Sequence, residues 1–282
     1  MPRLSQGQYR LGSHVVRICG ALRDPSIDVV GLERFATTDA SDVVLNIRGV
    51  ERLGEPGAGW ELRYCTVDGD DVVRVDCTEW SAIFDLRGRT VDAELSSTRR
   101  LALDSLLKTV LQLIALHDRS GLVVHASAVE RGGEAFVFCG RSGAGKTTAA
   151  FLSCNAGAKV IAEEMVFVGG LDRDIAPEVL TLPFWQKDGT MTVPERLPLR
   201  RIFALKQAPL DAVEAMTHGA QVRALLSAAS IGVRVRPFME SALDLSCKLT
   251  ERVPVRLLRF RESPDFWSAI DDDVRGDAHG VD

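Results

Sequence analysis

The sequence predicts a mixed α/β protein in which a small β-rich N-terminal domain precedes an α/β domain built around a glycine loop. Three observations carry this. Short runs rich in β-branched and aromatic residues, separated by Gly and Asp clusters, fill the chain up to residue 96. Near residue 97 the apolar period changes to helical spacing. From residue 121 strand-like and helix-like segments alternate, and a glycine-rich stretch at 140–147 sits between an apolar run and a helix.

In the N-terminal domain, 1–96, "HVVRIC", "DVVLNI", "WELRYCTV", "DVVRVD" and "SAIFDL" read as strands, with "DGDD" at 68–71 as a hairpin turn. Trp60, Tyr64 and Trp80 read as packing residues. No catalytic constellation occurs here, which suits a role in recruiting substrate. In "SSTRRLALDSLLKTVLQLIALHDRSG" Leu103, Leu106, Leu107, Val110 and Leu111 share one broad apolar helical face. Ser97 or Thr98 caps this packing helix and "DRSG" stops it, so a domain boundary is expected beside it.

The second domain is expected over 97–270. "GLVVHASAVE" and "AFVFC" read as strands joined by "RGG", and a helix from Thr147 to Asn155 ends near Gly157, a C-cap. "AKVIAEEMVFVGG" gives one or two strands. Beyond it come a strand "RRIFALK", a helix at 219–229, an amphipathic helix at 240–252, a strand "VPVRLLRF" and a short helix "SPDFWSAI". Arg234 and Arg236 alternate as one face of an exposed strand would. The composition of 271–282, "DDDVRGDAHGVD", predicts a disordered acidic tail.

Bulk properties narrow the function classes. Of 282 residues, 46% are apolar and 26% charged, the balance of a globular protein. A net charge of -5 argues against a nucleic-acid binder. The start has no apolar leader, and Asp104 and Lys108 interrupt the most apolar stretch, so no membrane span is expected. The 6 cysteines show no CxxC spacing, so they read as buried thiols of a cytoplasmic protein rather than a metal knuckle.

The chemistry concentrates at 140–148. Gly140, Arg141, Ser142, Gly143, Ala144, Gly145, Lys146 and Thr147 match G-x-x-x-x-G-K-[ST], the P-loop pattern. The glycines let successive N–H groups converge on a phosphate beside the positive end of the helix. Lys146 can reach the β- and γ-oxygens, and the Thr147 hydroxyl, with Thr148 next along, can ligate Mg²⁺. The loop is strong for nucleotide binding and silent on the reaction.

Glu163 and Glu164 discriminate further. A right-handed crossover through the loop's helix would set their strand beside the loop's own strand, with its carboxyl end at the phosphates. One carboxylate could then hold Mg²⁺ while the other takes a proton from an attacking hydroxyl. His125, in the apolar run "LVVHASAV", reads either as a satisfied core histidine or, beside such a loop, as a catalytic one.

With "LVVHASAV", "VFCGRSGAGKTT" and "AKVIAEEMVFV" in this order, the segment resembles the HPr kinase/phosphorylase C-terminal domain family, and more closely its relatives near peptide-modification genes, including lasso-peptide kinase-like proteins. "LPFWQKD", "PLRRIFALKQ" and "VPVRLLRFRESPDFW" extend the likeness over 97–270. The resemblance implies a P-loop kinase core akin to HPr kinase and phosphoenolpyruvate carboxykinase, using ATP or another nucleoside triphosphate with Mg²⁺. It implies phosphate transfer to a serine hydroxyl, with Glu163 as base or Mg²⁺ holder, Glu164 supporting the metal and His125 near the acceptor. Glu163 stands where the family has Asp, which moves that carboxylate one methylene outward.

By the same resemblance Arg200, with Arg201, would approach the transferred phosphate; as ordinary surface cations flanking a strand they read equally well. Lys187 and Asp188 are weaker candidates. The expected partner is a peptide, small protein or small molecule bearing a hydroxyl, with no nucleic acid and no membrane, and self-association is left open. A non-catalytic nucleotide sensor or scaffold and a P-loop hydrolase are the alternatives.

Overall fold

A computed structural model describes residues 7–21, 32–50, 62–68, 71–96, 100–172, 175–184, 195–230 and 235–278. The expected roles of Trp60, Ser97, Thr98, Lys187, Asp188 and Arg234, the side chain of Tyr64, and residues 69 and 70 of the 68–71 turn lie outside the described residues. The chain divides into two compact units, Met1–Arg119 with Ile231–Ser241, and Ser120–Ser230 with Ala242–Asp282.

The first unit carries a sheet of β1 (Gly7–Leu11), β2 (His14–Ala21), β3 (Val43–Gly49), β4 (Leu62–Asp68), β5 (Val72–Cys77), β6 (Trp80–Asp85) and β7 (Thr90–Leu95), followed by helix α1 (Arg100–His117). Its strand order is β1-β2-β3-β7-β6-β5-β4. Side chains alternate in and out with period two: Trp80, Ala82 and Phe84 of β6 are buried while Ser81 and Ile83 face outward. α1 packs against β6 and β7, and the Trp80 indole N–H donates to Ser105 Oγ at 3.2 Å. That packing groups α1 with the first sheet, so the division falls after Arg119 rather than at the expected 96/97. On the outer face Asn46 donates to Asp92 at 2.8 Å and Arg48 pairs with Glu94.

The second unit is built from β8 (Gly121–Arg131), β9 (Glu134–Cys139), α2 (Lys146–Asn155), β10 (Lys159–Ala162), β11 (Met165–Gly169), β12 (Glu178–Thr181), β13 (Arg196–Gln207), β14 (Ala212–Ala215), α3 (His218–Ala228), α4 (Arg236–Arg252), β15 (Val255–Phe260) and α5 (Phe266–Ala278). Residues 236–241 of α4 count with the first unit. Arg236 opens that helix and pairs with Glu240 one turn on, at 2.8 Å, so it is no strand residue.

β8 and β13 are long enough to serve two neighbourhoods each. The first half of β8 pairs antiparallel with β11, its second half with β9 and β10. β13 begins against β12 and continues parallel to β9 and then β15. The pairings β8-β11-β12-β13-β9-β8 therefore close on themselves, with β10 beyond β8, and β15 then β14 beyond β13. The expectation that β10 lies beside β9 is corrected: β10 runs in the same direction as β9, but both lie antiparallel on β8, which stands between them.

One face of this sheet is covered by α2 and α5. Phe136, Phe138, Phe203 and Phe260 meet Ala149 and Ala150 of α2 and Phe266, Trp267 and Ile270 of α5. The Trp267 indole N–H donates to Ser153 Oγ of α2 at 2.9 Å, locking the two helices together. Gly157, at φ 83, follows the last turn of α2 and returns its N–H to Cys154 O, as the expected C-cap does.

The expectation of a disordered tail over 271–282 is corrected as well. α5 stays helical through Ala278, and strand arginines pair with two of its aspartates, Asp271 and Asp273. Arg131 donates to Asp271 at 2.8 Å, and Arg201 and Arg256 flank Asp273 at 3.1 and 3.3 Å. Residues 279–282 lie outside the described residues. Among the described residues no helix is long and apolar enough to cross a membrane.

Candidate nucleotide site

The loop leaves the buried strand β9 at Cys139 and enters α2 at Lys146. Gly143 and Gly145 take φ 79 and 97, values that L side chains avoid. A Cβ on Gly145 would lie 2.7 Å from Cζ of Phe260, so the loop can rest on that ring only as glycine. Gly145 is also the N-cap residue of α2 and has no side chain to accept from the first helical turn. Those first N–H groups lack intrahelical acceptors, and the helix dipole adds positive potential there. The Lys146 ammonium is buried under the loop and donates to the carbonyls of Gly140 at 3.0 Å and Arg141 at 3.4 Å. Arg141, Ser142 and Gly143 are exposed, while Ala144, Thr147 and Thr148 are half-buried.

The carboxylates come from the turn between β10 and β11. Ala162 pairs with Ala128 and Met165 with His125, so Glu163 and Glu164 stand opposite Ser127 and Ala126 of β8. A register shift between Val160 and Ala162 makes room for this turn. Ser127 donates its hydroxyl to Glu163 O at 2.8 Å, and the Ala126 N–H donates to Glu164 O at 3.0 Å. Glu163 is 4% exposed and Glu164 half-buried.

On its other side Ala126 pairs with Cys139, the last residue before the loop. One register therefore brings His125, the two glutamates and the loop to the same sheet edge. His125 is exposed in the midst of buried Val124 and Ala126, which removes its reading as a core histidine. Cys139 has its thiol pushed up to about 12 by burial, against the opposing pull of Lys146, and so is no nucleophile at neutral pH.

Arg200 and Arg201 are not brought to this edge. β13 runs parallel to β9 with Ala204 opposite Cys139 and Leu199 opposite Ala135, so both arginines sit at the end where β9 begins. Arg200 faces Glu134 and the Val274 carbonyl, and Arg201 is buried against Asp273. The expectation that they approach a transferred phosphate is corrected on this ground: residues ahead of a parallel strand lie at its far edge, ~13 Å away at 3.3 Å per residue. Further along β13, Gln207 does reach the loop, donating to Gly143 O at 3.4 Å. The sequence signal for Gln207 was a polar residue directly after a buried strand; for Ser127 it was a hydroxyl inside an apolar one.

Residues 91–275 match the family model described as SynChlorMet cassette protein ScmC, well over half of the chain. The chain belongs to the ScmC family. The ScmC match takes in the loop, His125, both glutamates and most of α5, and leaves β1–β6 outside. No curated protein matches. Among solved structures, the HPr(Ser) kinase/phosphatase from Coxiella burnetii is similar at 10% identity and a TM-score of 0.33, covering 56% of this chain and 99% of its own. No residue role is carried across from it.

Among the described residues no group of three or more His, Cys, Asp and Glu side chains is set to hold a metal ion. The oxygen donors expected from the sequence are the Thr147 hydroxyl and the two glutamates. Such a set fits Mg²⁺ rather than a metal held by protein alone, since Mg²⁺ commonly takes one or two carboxylates and completes its shell with water and substrate phosphate.

Proposed function

We propose that this chain is a Mg²⁺-dependent kinase that transfers the γ-phosphoryl group of ATP, or another nucleoside triphosphate, to a serine hydroxyl of a peptide, small protein or small molecule. The observation that carries this is the β8 register, which sets the buried Glu163 and the glycine loop at one edge. The loop amides and Lys146 hold the β- and γ-phosphates. Glu163 takes the hydroxyl proton, the freed oxygen bonds to the γ-phosphorus, and the bond to the β–γ bridging oxygen breaks to release the diphosphate. With Glu163 as the base, Thr147 and Glu164 would hold Mg²⁺, which would supply charge neutralisation at the phosphates. With Arg200 at the opposite edge, Lys146 is the principal protein cation for that task. In this reading His125, which is exposed beside the turn, meets the acceptor. The family description as a cassette protein supports action alongside the other products of a cassette, and this reading extends that to the modification of a peptide natural product.

Incubation with γ-labelled ATP and serine-bearing acceptors tests this reading. Label on an acceptor serine, lost in Lys146→Ala, is the expected result. Phosphate released without any acceptor points to a hydrolase, and binding without turnover to a sensor or scaffold.

A further inference from the structure

The nucleotide proposed above has a direction, and the strand order sets it. Glu163 and Glu164 lie on the β8 side of β9, whereas β13 and β15 follow on the other side. A triphosphate whose terminal group faces the carboxylate turn sends its nucleoside toward the C-terminal ends of β13 and β15. There residues 208–211 form a strap, leaving β13 and crossing the end of β15 to return as β14 on its far side.

The strap is fixed at three points. The Ala208 N–H donates to Phe260 O at 3.0 Å. Asp211 accepts from the Arg261 backbone N–H at 2.7 Å and from its Nε and Nη2 at 2.9 and 2.7 Å. Gln207, at its root, donates to Gly143 of the loop. On this pinned turn Leu210 is 73% exposed, and Pro209 beside it is exposed too. A lone exposed leucine means little by itself. This one is held outward on a pinned turn that is tethered to the glycine loop, on the side of β9 away from the two glutamates.

We infer that Pro209 and Leu210 form the platform on which the nucleobase of the bound nucleoside triphosphate rests. The inference depends on the proposed nucleotide site. The platform recognises the apolar face of a flat heterocycle, so its contribution belongs to the base and is absent for a bare phosphate chain.

Titration calorimetry with MgATP and with Mg-tripolyphosphate separates the two parts. The unmodified protein binds MgATP more tightly than tripolyphosphate, and Leu210→Ala and Leu210→Asp weaken MgATP by about fivefold or more while leaving tripolyphosphate unchanged. Unchanged MgATP affinity in both variants, or a parallel loss for both ligands, overturns the platform. So does equal affinity of the unmodified protein for the two ligands, a result that leaves the phosphate loop standing. If neither ligand binds, the proposed function falls and the platform with it.

Discussion

The hydroxyl of Ser127 donates to the backbone carbonyl of Glu163 at 2.8 Å, from a side chain with no exposure to solvent. This bond ties the carboxylate turn to the same strand that pairs with the end of β9, and so fixes the glutamate relative to the loop. Ser127→Ala removes the tether while leaving the loop intact. Steady-state kinetics are expected to show kcat lowered on the order of tenfold, from losing one buried hydrogen bond, with nucleotide affinity unchanged. Equal losses in both would assign Ser127 a general structural role instead.

Gly145→Ala attacks the loop directly. The new Cβ meets the Phe260 ring, and φ 97 adds strain on the order of 1–3 kcal/mol. Nucleotide binding measured by calorimetry should fall sharply, with only a modest loss in thermal stability.

Asp273 balances two arginines, Arg201 and Arg256, where α5 meets the sheet. Asp273→Asn takes this shared counter-charge from both cations in a largely buried place, a loss of about 3–5 kcal/mol in urea unfolding. Arg131→Ala, which breaks a half-exposed pair and the Arg131–Trp267 ring contact, should lose about 1–2 kcal/mol.

The thiols give a pH-dependent check. Burial pushes Cys77 and Cys139 up to about 12, whereas Cys154 is exposed on α2. At pH 8 iodoacetamide should label Cys154 far faster than either buried thiol, as mass spectrometry can read. As pH rises above about 9 the unfolded chain loses these protons while the folded chain keeps them until about 12, so stability falls across that window. Cys139→Ala should flatten the fall.

The contiguous parts of the site were legible in the sequence, because a loop, its lysine and its helix are neighbours along the chain. His125 and the glutamates were legible as candidates, yet their route to the loop was not. Strand periodicity says which residues share a face, not which strand lies alongside, and here β8 intervenes between β9 and β10. Arg200 was misplaced for the same reason, since the direction of β13 relative to β9 is a tertiary fact. β12 and β14 are only 4 residues each and show too short a pattern to read. The aspartates of α5 looked disordered because their partners Arg131, Arg201 and Arg256 come from distant strands.

Transfer of γ-label to acceptor serine by Glu163→Gln, measured alongside MgATP affinity, probes the buried carboxylate most directly. Glutamine keeps the shape and removes the proton acceptor, so affinity should hold while transfer is lost. Undiminished transfer in Glu163→Gln would contradict the role assigned to Glu163, and a loss confined to Glu164→Gln would move that role to its neighbour.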